Sequence, residues 1–370
     1  MNYQEVETIA AFKKLLRRTS VLKQFAFQSL DFSKVQDLLH HVNFVNCIFL
    51  GCHIPESVLK YLPESNLIFP QLNLPYNSYI NKLYNREILY EGYELGIPDS
   101  YEETFDHRVY THYLSRGKEA HDIGETLARR LHDHSVTDAL NDFLKTVEEK
   151  KVIAIMGGHS LSRTSEDYHI VTRLSKQLTE MGYLMVSGGG PGAMEATHLG
   201  AWLAGRSLGT IDAAIKLMSK APCYEDKLWL DSAFEVLHTY PNSLYESIGI
   251  PTWHYGHEPA TPFASRIAKY FANSVREEGL LTIAKGGVIF SPGSAGTVQE
   301  IFQDAAQNHY LSFGYASPMI FLNQKYWVEE LPIYPLLKKL AEDEKYQNML
   351  LSSCSDQNEV IKVLKNFHPG

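Results

Sequence analysis

From Lys151 onward, apolar residues fall into short β-branched runs that end in glycine and are followed by stretches with a helical repeat. That alternation predicts a parallel sheet covered by helices. Strands are expected over Val152–Met156, Tyr183–Val186, Leu208–Ile211, Ile248–Trp253, Gly287–Phe290 and Met319–Leu322. The intervening helices fall at about Glu166–Met181, Ala193–Ala204, Phe263–Arg276 and Thr297–Gln307. Two more amphipathic stretches, near Ile333–Asp343 and Asn358–Phe367, are expected to pack onto the sheet afterwards.

Residues 1–150 have a different texture. A helix is expected near Val6–Arg17 and a strong amphipathic helical region over Lys118–Glu149, with little pattern between them. Within the second region, Leu131–Ser135 reads as a break between two helices, with Ser135 or Thr137 as a cap. Phe44 and Phe49, like Cys47 and Cys52, stand five residues apart, the step of a pentapeptide-type turn; two copies are too few for a solenoid, and the spacing reads as chance. The fold class is therefore α/β: a Rossmann-like parallel sheet flanked by helices over 151–370, with an additional mixed, largely helical N-terminal domain over 1–150. A length of 370 residues accommodates both.

Composition narrows the functional classes. No apolar run approaches the roughly 20 residues needed to cross a bilayer, so no membrane partner is expected. A formal charge of −9 gives no electrostatic reason for a nucleic-acid polymer to bind, although a local pocket for a small phosphate remains open. The acidic N-terminus lacks the basic and apolar regions of a signal peptide, which points to the cytoplasm. Cys47, Cys52, Cys223 and Cys354 show no metal or redox spacing and are expected to be buried free thiols.

Chemistry concentrates in three glycine-rich turns that follow expected strands: Met156-Gly157-Gly158-His159-Ser160, Ser187-Gly188-Gly189-Gly190-Pro191-Gly192-Ala193 and Ser291-Pro292-Gly293-Ser294-Ala295-Gly296-Thr297. In a parallel sheet such turns gather at the carboxyl ends of the strands, where ligands bind. Glycine lets backbone N–H groups approach an anion, and the helix that follows adds partial positive charge. The dinucleotide fingerprint is absent, since the first turn lacks G-x-G-x-x-G and no acidic residue ends the second strand; G-x-x-x-x-G-K-[ST] is absent too. Thr297 and Glu300 have the T-x-x-E spacing of a capping box, so Glu300 either closes back on a helix cap or points at the sugar of a bound nucleotide.

The third turn, Pro292-Gly293-Ser294-Ala295-Gly296-Thr297-Val298-Gln299-Glu300, resembles the P-G-G-x-G-T-x-x-E signature of the Lonely Guy (LOG) family, enzymes often mislabelled lysine decarboxylases. Gly188-Gly189-Gly190-Pro191-Gly192-Ala193-Met194-Glu195 resembles that family's second glycine motif. The resemblance covers roughly residues 151–325 and is strongest to the longer bacterial members, among which nucleotide monophosphate nucleosidases occur. It implies hydrolysis of the N-glycosidic bond of a nucleoside 5′-monophosphate, with neither metal nor cofactor, in a homodimer or larger assembly. Glu300 would serve the ribose cation and the water, and Arg276, sixteen residues ahead of Pro292, would hold the substrate or the departing base, with Arg266 as the fallback arginine. Gly293, Ser294, Ala295, Gly296 and Thr297 would bind phosphate, with Gly157, Gly158, Gly189, Gly190, Gly192, Met194 and Glu195 completing the nucleotide site. Ser294 departs from the signature, where a second glycine stands.

His254 and Tyr255 follow an expected strand at the same edge and are candidates for base or phosphate contact. His121, His132 and His134 invite a metal reading, but positions i and i+2 of a helix lie on different faces and no zinc spacing accompanies them. A non-catalytic nucleotide sensor using the same pocket stands as the alternative function. Nothing marks a Schiff-base lysine or a pyridoxal phosphate site.

Overall fold

Seven strands form one all-parallel sheet: β1 (Val152–Met156), β2 (Leu184–Ser187), β3 (Ser247–Gly249), β4 (Arg266–Ile267), β5 (Gly287–Phe290), β6 (Pro318–Leu322) and β7 (Leu350–Cys354). Their order is β4-β3-β2-β1-β5-β6-β7, so the winding reverses between β1 and β5. These two strands pair from Gly287 beside Ile153 to Phe290 beside Met156. Parallel neighbours need a crossover, and the chain returns through helices after nearly every strand: α1 (Glu166–Glu180), α2 (Ala193–Trp202), α3 (Leu208–Met218), α4 (Trp229–Thr239), α5 (Asn273–Ile283), α6 (Ala295–His309), α7 (Ile333–Glu342) and α8 (Gln357–Asn366).

Every residue of β1 and β5 is buried, as expected where helices cover both faces of a parallel sheet. Alternate side chains divide between the faces. Ile153, Ile155, Ile289, Ile320 and Leu322 join a core with Tyr168 and Leu174 of α1, Leu199 of α2, Ile211 of α3, Val236 of α4 and Val360 of α8. Phe290 and Phe321, on the other face, pack ring to ring at 5.3 Å, with Trp327 edge-on to Phe321 at 5.7 Å.

The computed structural model describes residues 3–368 and separates into two compact units. One takes the chain up to Leu83 together with His112–Asn141; the other takes Tyr84–Thr111 and the chain from Asp142 on. Residues 84–111, which the sequence grouped with the N-terminal segment, thus pack with the sheet unit. A buried ion pair anchors them there: Lys269 Nζ lies 2.6 and 2.9 Å from the two carboxylate oxygens of Asp106, and Trp253 Nε1 donates to the same carboxylate at 2.9 Å.

In this unit two expected elements are corrected and one strand is added. Leu208–Ile211 opens helix α3 instead of forming a strand, because Ile211 lies on the buried helical face with Ala214, Ile215 and Met218, and that helix packs on α1 and α4. The segment Phe263–Arg276 is no single helix: Arg266–Ile267 adds the edge strand β4 beside β3, and the helix starts only at Asn273. Strand β7 was not anticipated.

In the other unit, Gln4–Val6, Phe25–Gln28, Ile48–Leu50 and Leu67–Phe69 form a four-stranded parallel sheet, and Val21–Lys23 pairs with Asn43–Val45. The spacing of five is therefore no chance: it is the step from one strand to the next around a coil. Phe44 sits beside Leu22 and Phe49 beside Phe27 in the coil before. Their side chains, with Phe12 and Phe32, fill the interior, Phe27 and Phe49 at 5.1 Å and Phe44 and Phe49 at 5.3 Å between ring centroids. Cys47 and Cys52 are buried beside them, their thiols donating to the carbonyls of Leu22 and Phe27 at 3.2 and 3.3 Å. The N-terminal helix spans Ile9–Leu16, Val6 belonging to the strand before it. The helix Ile123–Leu144 runs unbroken through Leu131–Ser135; Ser135 donates to the Ser78 carbonyl and Thr137 to Asp133 one turn earlier, so neither caps a helix. Of the four thiols, Cys223 is exposed and the other three are buried.

Candidate functional site

The winding reversal between β1 and β5 leaves a crevice at the carboxyl ends of these strands, the general ligand position in open α/β sheets. All three glycine turns meet there. Gly158 donates its amide to the Pro292 carbonyl at 3.0 Å, and Ala193 donates to the Gly158 carbonyl at 3.1 Å, so the turns are hydrogen-bonded into one floor. Two glycines are required by that closeness. Gly192 has φ +66°, and a Cβ there would lie 2.3 Å from the Gly158 oxygen; a Cβ on Gly157 would lie 2.7 Å from Cβ of Ala193.

Behind the second turn, His198 is fully buried between two serines, with Nε2 2.8 Å from Ser187 Oγ and Nδ1 2.9 Å from Ser247 Oγ. Ser187 Oγ in turn accepts from Gly189 N at 3.1 Å, which fixes the turn. Burial lowers the His198 pKa to about 3, so the ring is neutral near pH 7.

The cavity above this floor is about 400 Å³ and takes in Gly157, Gly158, Gly190, Met194, Tyr255, Arg276, Ser294, Ala295, Gly296, Thr297 and Glu300 from the sequence-derived set. Helix α6 begins at Ala295 with Ser294 as its N-terminal cap residue, and Ser294 makes no side-chain capping bond. The first amides of a helix have no acceptor within it and carry the positive end of the helix dipole. Ser294, Ala295 and Gly296 are exposed on the cavity side, so an anion can approach these amides.

This start of α6 also removes the capping role from Glu300. A capping box needs Thr297 as cap and Glu300 three residues into the helix. Instead Thr297 lies inside the first turn and Glu300 is the sixth helical residue, too far along to close on the cap. Its carboxylate faces the cavity, 4.0 Å from Nη1 of Arg276. Burial raises the Glu300 pKa to about 7, with Arg276 pulling it down and Glu277 pushing it up. Such a carboxyl can both accept and return a proton near neutral pH.

Arg276 sits on the first turns of α5 and is itself held. Its Nε and Nη2 donate to Asn273 Oδ1 at 3.2 and 2.9 Å, and Nη2 also reaches Glu277 at 3.1 Å. Asn273 and Gln299 donate to the two Glu277 oxygens at 2.8 and 3.0 Å, closing the bracket from α5 to α6. Nη1 is left turned to Glu300. Met194 packs its sulfur beneath the second turn: a Cβ on Gly188 would come within 2.7 Å of it.

Several sequence-derived residues lie elsewhere. Glu195 is wholly buried on α2, bonded to Arg163 Nε and to the Tyr168 hydroxyl, each at 2.8 Å, so its carboxylate is committed inside the protein. Arg266 is on the surface at 2.6 Å from Glu246, outside the cavity. Gly189 and Gly192 shape the second turn from behind, and Gly293 accepts from the Tyr326 hydroxyl at 2.7 Å. His254 stands edge-on to Tyr255 at 4.9 Å without entering the wall. The sequence missed Glu258, which enters the cavity 3.9 Å from His159, and the bracket of Asn273, Glu277 and Gln299. Only the helical spacing of Asn273 and Glu277 about Arg276 signalled the latter.

No family model matches this chain, and no curated protein does. Among solved structures, it is similar to the molybdenum cofactor binding protein from the phototrophic bacterium Rippkaea orientalis, at 16% identity over 58% of this chain and 94% of that one, with a TM-score of 0.38. The molybdenum cofactor carrier protein from Chlamydomonas reinhardtii gives 15% identity, 58% and 95% coverage and a TM-score of 0.37. A structural-genomics target, TM1055, gives 17%, 58% and 99% and a TM-score of 0.38. The strand order and the cavity define the fold and the site independently of these.

Proposed function

We propose that the chain hydrolyses the N-glycosidic bond of nucleoside 5′-monophosphates, releasing the free base and ribose 5-phosphate. The observation that carries this reading is the position of Glu300: a carboxyl with a pKa of about 7, 4.0 Å from a bracketed arginine, in a cavity that ends on a helix N-terminus. The resemblance of the Pro292–Glu300 segment to the LOG signature supports it.

In this reading the 5′-phosphate rests on the amides at the start of α6, which fixes the ribose over Glu300. As the glycosidic bond lengthens, positive charge develops on the ribose, and the Glu300 carboxylate stabilises it. Glu300 then takes a proton from water as the oxygen bonds C1′, and the bonding electron pair leaves with the base, which acquires the proton. Arg276 holds the base or the sugar through the free face of its guanidinium. Binding energy from the phosphate, remote from the reacting bond, is spent on this alignment.

The test is chromatography of free bases after incubation with each common nucleoside monophosphate, with the matching nucleosides beside them. Release from a nucleotide, far faster than from its nucleoside, is expected. Nucleotide binding without turnover would instead make the protein a sensor, and equal rates on both would defeat the role given to the α6 amides. A homodimer or larger assembly belongs to the same proposal; a monomer by light scattering at micromolar concentration would remove it.

A further inference from the structure

A second cavity, of about 470 Å³, opens in the sheet unit between residues 86–95 and the ends of α2 and α4. Its size is that of a small-molecule site. Tyr93 and Phe234 stack at 5.2 Å with 24° between their planes, and Tyr90 meets Phe234 edge-on at 5.5 Å. Trp202, at the end of α2, carries the Arg86 guanidinium over its ring at 4.3 Å.

Arg86 is the unusual member. Its side chain is 13% exposed, yet among the described residues Nη1 has no hydrogen-bond partner and Nε has only the Glu87 carboxylate beside it, at 3.2 Å. That carboxylate is itself 67% exposed, so the pair compensates the charge weakly. Burial accordingly pulls the Arg86 pKa down. A cation withdrawn from water with donors unused favours an anion. The aromatic walls favour a flat, apolar body attached to it.

We propose that this cavity binds a planar aromatic molecule bearing one carboxylate or phosphate group. The ring lies along Tyr93 and Phe234, and the anion meets the Arg86 guanidinium where it lines the cavity. The site is wired to the first cavity. The Tyr90 hydroxyl donates to the Ala260 carbonyl, Thr261 N donates to the Gly189 carbonyl at 2.8 Å, and Glu258 of the same segment enters the first cavity. Occupancy therefore stiffens residues 256–261.

Titration calorimetry of the full chain with 1-naphthoate, 1-naphthyl phosphate and the neutral 1-naphthylmethanol tests this. At least one anion should bind more tightly than the alcohol, and the two anions tell a carboxylate ligand from a phosphate one. Arg86→Met removes the guanidinium from over Trp202 but keeps an unbranched apolar side chain of similar reach, and should weaken that anion by roughly tenfold or more, leaving the alcohol unchanged. Tyr93→Ala, checked for an unaltered melting temperature, should weaken all three. Anions binding no better than the alcohol, or with undiminished affinity in Arg86→Met, would overturn the site. Amide exchange over 256–261 should slow on saturation with the bound anion, and unchanged exchange there would overturn the link between the cavities.

Discussion

Replacing Glu300 with Gln separates chemistry from stability, because the two are expected to move in opposite directions. The ordinary carboxyl value of 4.5 rises to about 7 in the folded protein, since the folded site favours the uncharged acid. Stability from this preference is fully present below pH 4.5 and is lost as pH rises through about 7. Above that, the buried charge costs on the order of 3 kcal/mol, from about 1.36 kcal/mol per tenfold in proton affinity. Gln is neutral at every pH and close to Glu in shape. The melting temperature of Glu300→Gln should therefore match the parent near pH 4.5 and exceed it at pH 8. Turnover of nucleotide should fall at least ~100-fold, the low end for loss of a positioned acid–base group, with binding largely retained. The parent's kcat/KM should rise with pH and level off above about pH 7, and the variant should lack that limb. Calorimetric melts at the two pH values and single-turnover base release measure both. Normal turnover in Glu300→Gln, or equal melting shifts at pH 4.5 and 8, would refute the assignment.

Arg276→Ala should cost turnover comparably to Glu300→Gln, whereas Arg266→Ala, at a surface ion pair outside the cavity, should leave kcat/KM within about twofold. His198 binds its proton less readily folded than unfolded, its pKa falling from 6.5 to about 3; stability should decline as pH drops from 6.5 toward 3, and His198→Gln should show a shallower decline in urea melts. Phe49→Ala removes a ring from the centre of the N-terminal coil and should cost about 3–5 kcal/mol by denaturant unfolding, with the isolated loss of that unit visible if the two unfold separately.

Local pattern alone determined much of the sheet unit. Val152–Met156 and Gly287–Phe290 read as strands because a parallel strand buried on both faces is a continuous apolar run, and each leads into a glycine-bearing turn at the crevice, Gly157-Gly158 and Ser291-Pro292-Gly293. Arg276 and Glu300 were legible only through the resemblance to the LOG signature, which implied both positions. Other features belong to tertiary structure. Leu208–Ile211 is short and apolar, a pattern that strand and buried helix share, and only packing against α1 and α4 selects the helix. The step of five at Phe44 and Phe49 acquires meaning from Leu22, Phe27 and Phe32 in the preceding coil, a match that exists only when the coils stack in register. Glu195 belongs to a plausible nucleotide motif, but Arg163, 32 residues earlier in the chain, claims its carboxylate. The T-x-x-E spacing was compatible with a cap or a catalytic acid. The fold removed the cap by starting α6 at Ala295 and placed Glu300 beside Arg276, because a helix register and a desolvated carboxyl are both set by what the rest of the chain packs around them.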